Sequence, residues 1–131
     1  MGIRNKMKIF LDDLYETTRK SLMPGGYVGV KNFAEFKQLL EDTLARGEKI
    51  EGLSFDNDLG EGEMDGWEIA KWLTEEHPEI FAENPELTVH SSNPGGLEAI
   101  AYFFDLGRRK YKELIEAKDR SHPWGEMEKI R

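Results

Sequence analysis

Lys8-Ile9-Phe10-Leu11-Asp12-Asp13 is a short apolar run that stops abruptly at two carboxylates. The same form recurs along the chain. Tyr27-Val28-Gly29-Val30 follows the turn signal Pro24-Gly25-Gly26, and Leu53-Ser54-Phe55 and Leu87-Thr88-Val89 each end at polar residues. Short apolar runs that do not alternate suit parallel strands buried on both faces. Between them lie helical patterns. Phe33, Phe36, Leu40 and Leu44 share one face, with Asn32 and Glu35 placed as a cap and its reciprocal partner. Asp65 and Glu68 repeat that cap before a stripe of Ile69, Ala70 and Leu73. Leu97, Ile100, Ala101 and Phe104 form the cleanest stripe, opened by Pro94 near the first helical position. Strands alternating with helices predict a parallel α/β sheet with right-handed crossovers. The segment from Leu14 to Leu22 carries only a weak stripe, so the first crossover is expected to be short or irregular. Gly107 either ends the last helix or lies inside a longer one reaching Tyr111, Leu114 and Ile115.

The chain has 131 residues, enough for a single domain over 1–131 and too few for two cores. Hydrophobic residues make up 38% and charged ones 34%, and 7 Phe, 4 Tyr and 3 Trp are too many for a disordered chain. No apolar run is long enough to span a bilayer, and the N-terminus lacks a signal-peptide stretch, so a cytoplasmic location is expected. The absence of Cys excludes disulfides, zinc-thiolate sites, iron–sulfur clusters and a thiol nucleophile together. Net charge is −8 and unevenly spread: residues 31–104 carry 5 basic against 17 acidic groups, while both ends are mildly basic. That distribution argues against general duplex DNA binding. The acid excess is either solvated helix surface or, in part, a set of carboxylates converging on a metal.

In an open parallel sheet, ligands bind beyond the carboxyl ends of the strands. Those ends read Asp12-Asp13, Asp56-Asn57-Asp58-Leu59-Gly60 and His90-Ser91-Ser92-Asn93-Pro94. Asp12, Asp13 and Asp56 are the candidate metal ligands, because hard carboxylate oxygens suit Mg²⁺ or Mn²⁺. The ordinary role of Asp after a strand is to cap a helix, and two strand ends with acids tip the balance toward metal. A calcium loop beginning at Asp56 fails, since Glu61 stands where Gly is needed and Trp67 where a bidentate Glu is needed. A haloacid-dehalogenase reading fails too, because the Asp-x-Asp pair follows the third strand and not the first.

Ser91, Asn93 and Gly95 lead into the cleanest helix, whose N-terminus is a candidate phosphate site. The alternative is that Ser92 or Asn93 merely caps that helix. His90 is the candidate general acid or base, with Asp58 orienting it or lying just behind. His77 precedes Pro78 at a helix end, where its ordinary role is favourable charge, and His122 lies in the irregular tail. Trp67 and Trp72 fall on packing positions. Arg108-Arg109-Lys110 with Lys112 is the one dense basic cluster and a candidate contact for an extended phosphate-bearing substrate.

Leu11-Asp12-Asp13, then Asp56-Asn57-Asp58-Leu59-Gly60, then His90-Ser91-Ser92-Asn93-Pro94 resemble the cyclic-phosphate processing receiver-like domains, a divergent branch of the response-regulator receivers. The resemblance covers residues 7–104 and leaves 105–131 as a helical or irregular C-terminal extension. It implies a flavodoxin-like, receiver-like three-layer α/β sandwich with a short, mostly parallel sheet. It implies a divalent metal and chemistry on a cyclic phosphate, such as a 2′,3′-cyclic phosphate of an RNA end or a nucleotide. The chain departs from ordinary receivers in showing no late strand ending in Lys and only a weak first helix. Those departures argue against a conventional phospho-aspartate switch. The leading expectation is therefore a metal-dependent phosphoesterase whose partner is a phosphate-containing small molecule or RNA end. The alternatives are a non-catalytic receiver-like module for signalling or protein interaction, and a structural or inhibitory protein that kept the fold and lost the chemistry.

Overall fold

A computed structural model describes residues 6–16 and 23–121. Four strands, β1 (Lys6–Leu11), β2 (Tyr27–Val30), β3 (Lys49–Phe55) and β4 (Glu86–Val89), form one sheet in the order β2-β1-β3-β4. All three pairings are parallel, as the apolar runs predict. Leu11 pairs with both Val30 and Phe55, and Phe55 pairs with Val89, so the four strands end level with one another. The backbone ladder then runs one residue further. Asp12 N–H donates to Val30 O at 2.9 Å, Asp56 N–H to Leu11 O at 2.9 Å, and His90 N–H to Phe55 O at 3.0 Å. This register sets Asp12, Asp56 and His90 side by side on adjacent strand ends.

The helices are α1 (Phe33–Ala45), α2 (Gly66–Glu76) and α3 (Pro94–Ser121), with a 3₁₀ segment over Pro78–Glu83. Asn32 caps α1 by accepting from Glu35 N–H at 3.0 Å, and the Glu35 carboxylate reaches Lys31 N–H, one residue before the expected partner. In α2 the Glu68 carboxylate accepts from Asp65 N–H at 3.0 Å, completing the predicted box. All three helices share one core with Ile9, Leu11, Val30, Leu53 and Phe55. Phe55 links them, meeting Phe36 of α1 and Phe104 of α3 edge-on at 5.2 and 5.1 Å. Trp72 packs edge-on against Phe33, and Trp67 stacks on Phe103, both in packing roles. Side chains alternate across a strand, so the other face carries Lys8, Phe10, Tyr27, Gly29 and Ser54. There Tyr15 lies directly on Gly29, where any Cβ would overlap its ring.

The stripe of α3 is turned from the expected one. Ile100 and Phe104 are buried, but Leu97 is 39% exposed and Ala101 is exposed. The helix docks through Gly96, Ile100, Phe104 and Gly107 instead. A Cβ on Gly96 would overlap the Asn57 side chain, and one on Gly107 would sit 2.5 Å from Phe81 Cζ. Close approach at those two glycines sets the rotation. Gly107 therefore lies inside the helix, which continues to Ser121 with a kink at Lys110 (φ −123°, ψ 19°). The expected boundary between core and extension falls mid-helix. The irregular first crossover lies mostly outside the described residues, as do His122 and the rest of 122–131.

His77 ties α1 to the end of α2. Its Nε2 lies 3.1 Å from Glu41 Oε2 and its Nδ1 3.1 Å from Glu79 Oε2. Burial alone would lower its pKa, but the two carboxylates outweigh that and hold it above the ordinary 6.5. The bond to His77 in turn holds Glu41 below 4.5. A raised histidine contributes stability that is complete below its unfolded pKa and fades as pH rises through the folded value. The lowered Glu41 contributes above its own unfolded value, so the clamp is worth most between about pH 4.5 and 6.5. Melting curves of the wild type and His77→Gln across this range should diverge most there and converge as pH rises. A difference independent of pH would contradict the clamp.

Candidate functional site

The site is built at the level strand ends. Asp12, fully buried, follows β1 and turns back on its own loop, its Oδ1 accepting from Leu14 N–H at 2.8 Å. Asp56, 4% exposed, follows β3 and accepts from Asn57 N–H at 2.8 Å. Asp13 is half-buried beside them. One carboxylate oxygen from each of these three lies within 4.8 Å of the others. Gly60 (φ +110°) folds the loop after β3 over this cluster, so that a Cβ there would stand 3.7 Å from Asp13 Oδ2. Two buried carboxylates and a third this close repel one another in a medium that screens poorly. A small, hard divalent cation is the counter-charge that such an oxygen-only set fits, with water or phosphate completing its shell.

His90 closes the other side of Asp12. Its ring stacks on Phe10 with centroids 4.2 Å apart and planes 4° from parallel. Nε2 lies 3.1 Å from Asp12 Oδ2, and Nδ1 lies 2.8 Å from Ser54 Oγ. Asp58 does not orient His90. It is exposed, and its Oδ1 accepts from the side-chain amides of Asn57 at 3.3 Å and Asn93 at 3.4 Å. The reason is chain geometry: Asp58 sits three residues beyond the end of β3, past the turn that carries it to the start of α3.

The candidate phosphate residues are drawn into the start of α3. Asn93 Oδ1 caps the helix by accepting from Gly96 N–H at 3.1 Å, and Ser91 Oγ accepts from Asn93 N–H at 3.1 Å. Gly95 lies in the first turn, exposed. The basic cluster is elsewhere. Arg108–Lys112 begins 14 residues into α3, roughly 20 Å along its axis from the strand ends. Within it, Arg109 pairs with Asp105 at 2.8 Å and Lys110 with Glu113 at 3.4 Å, both exposed.

Three participants escaped the sequence reading. Ser54 and Phe10 look like strand interior, although a hydroxyl between Leu53 and Phe55 is itself a signal, since a buried polar group needs a partner. Asn57, 3% exposed, braces the loop: its Oδ1 accepts from Trp67 N–H at 3.1 Å, and its backbone O accepts from Gly66 N–H at 2.7 Å.

A family model described as the cyclic-phosphate processing receiver domain matches residues 7–105. No curated protein and no solved structure matches the chain. The matched segment runs from β1 into α3 and contains every residue of the strand-end cluster. Among the described residues, no helix is long and apolar enough to cross a membrane.

Proposed function

We propose, for a chain that belongs to the cyclic-phosphate processing receiver family, that it hydrolyses a cyclic phosphate with a divalent cation, Mg²⁺ or Mn²⁺, held by Asp12, Asp13 and Asp56. The observation that carries this reading is the convergence of those three carboxylates within 4.8 Å at the strand ends. The cation supplies Lewis acidity toward a phosphoryl oxygen. The chain supplies the rest. Gly95 N–H and the Ser91 hydroxyl at the start of α3 receive the remaining phosphoryl oxygens, with Asn93 holding that turn in shape. His90 keeps Asp12 aimed, and Asp58, exposed beside Asn93, accepts the proton of the attacking water. The water oxygen forms the new P–O bond, a ring P–O bond breaks, and the released oxygen takes up the proton that Asp58 accepted, leaving a hydroxyl on a phosphomonoester.

The substrate class is a phosphate-containing small molecule or an RNA end. Incubating the purified protein and Mn²⁺ or Mg²⁺ with cyclic mononucleotides and 2′,3′-cyclic-ended oligonucleotides should yield phosphomonoesters. Asp58→Asn should slow turnover by about 100-fold while leaving metal binding intact. No product from any member of the panel would overturn the reading. One observation favours a second reading, a non-catalytic receiver-like module: Ser91 and Asn93 already spend oxygens on capping. Acetyl phosphate labelling at Asp56, lost in Asp56→Asn, would favour that module.

A further inference from the structure

Ser54 stands on the face of β3 opposite the helical core, 4% exposed, with its hydroxyl turned to the His90 ring. The contact joins residues 36 positions apart on neighbouring parallel strands, β3 and the end of β4. The geometry of the ring assigns its protons. Nε2 faces Asp12 Oδ2, a carboxylate oxygen that can only accept, so Nε2 carries hydrogen. In the neutral ring Nδ1 is then the acceptor, and the partner able to donate to it is the Ser54 hydroxyl at 2.8 Å. Phe10, stacked at 4.2 Å and 4°, fixes the plane of the imidazole but says nothing about which nitrogen holds the proton. Stacking and hydrogen bonding therefore divide the work: Phe10 sets the plane, the Asp12 carboxylate sets the tautomer, and Ser54 sets the rotation within the plane.

We propose that Ser54 is a positioning residue that acts through His90 on Asp12. Its hydroxyl, bonded to Nδ1, holds the imidazole in the rotation that keeps Nε2–H on Asp12, and that N–H in turn holds the Asp12 carboxylate beside Asp13 and Asp56. The metal half of this inference rests on the reading of Asp12 as a cation ligand. The tautomer half rests on the His90 and Asp12 geometry alone. Partners of this kind, which grip a ligand from behind, commonly change metal affinity by about 10- to 100-fold when removed.

Two measurements on the full chain test it. Long-range ¹H–¹⁵N NMR of the metal-free wild type should show His90 as the Nε2–H tautomer. Mn²⁺ titration followed by EPR should show Ser54→Ala binding about 10-fold more weakly than wild type. In a His90→Phe background, which keeps the stack on Phe10 and removes both nitrogens, adding Ser54→Ala should have no further effect. Equal weakening by Ser54→Ala in both backgrounds would overturn the inference, since Ser54 would then act independently of His90. An Nδ1–H tautomer in the wild type would overturn it without any variant, which covers the case of Ser54→Ala failing to fold. Mn²⁺ bound equally by wild type and Ser54→Ala overturns the positioning role alone. A wild type that binds no Mn²⁺ overturns the metal reading as well.

Discussion

Asp13→Asn is expected to lose at least about 100-fold in Mn²⁺ affinity while the metal-free variant melts no lower than the wild type. Among the described residues Asp13 makes no side-chain hydrogen bond or ion pair, so its carboxylate holds up nothing in the fold. It does add a third negative charge within 4.8 Å of Asp12 and Asp56. Neutralising it removes repulsion in the metal-free state and, on the proposed function, a ligand in the loaded one. At a concentration that saturates the wild type, a 100-fold loss removes about 2.7 kcal/mol of metal-linked stabilisation. Asp12 and Asp56 are poorer tests, because each also binds backbone N–H groups that an amide would meet differently. Melting temperature with and without Mn²⁺ reads both halves at once. A variant that is less stable without metal, or that keeps the full Mn²⁺ response, would assign Asp13 a structural role instead.

Gly66→Ala should destabilise the protein by about 3 kcal/mol and lower Tm by roughly 10 °C. Alanine is ordinarily the better helix former by about 1 kcal/mol, so helix propensity predicts the opposite sign. Packing decides against it. Gly66 opens α2 with its N–H on Asn57 O at 2.7 Å, and a Cβ there would overlap the Asp56 carbonyl oxygen and press on the backbone of Asn57. Backbone cannot turn aside as a side chain can. The displaced segment is the one that carries Asp56, so Mn²⁺ binding should weaken together with stability. Gly25→Ala is the control: nothing lies within 4 Å of its Cβ, and the change should fall within about 0.5 kcal/mol. Denaturant titration of both variants tests this, and equal stabilities would contradict it.

The difference between these glycines marks how far the sequence can be read. Strand ends are legible because burial on both faces demands short apolar runs and water demands that they stop. That is how Asp12, Asp56 and His90 are placed on one edge from the sequence alone. Which face each residue takes, and what it meets there, depends on register and docking. Leu97 and Ala101 complete a helical stripe by spacing, yet close contacts of Gly96 with Asn57 and Gly107 with Phe81 rotate α3 away from them. The missing side chain of Gly96 makes room for that of Asn57. Asp58 reads as a partner of His90, but the loop carries it to Asn93, and Ser54 holds the imidazole from within the sheet. Such pairings join residues distant in sequence, and no local pattern encodes them.

The proposed function stands or falls with a divalent cation bound at the Asp12, Asp13 and Asp56 cluster. Thermal denaturation of the wild-type protein over a Mn²⁺ series tests it most directly, since a ligand bound only by the folded state stabilises it by mass action. The expected result is a Tm that climbs with Mn²⁺ concentration in the wild type and begins to climb in Asp13→Asn only at concentrations about 100-fold higher. A wild-type Tm indifferent to Mn²⁺ and Mg²⁺ alike would contradict it.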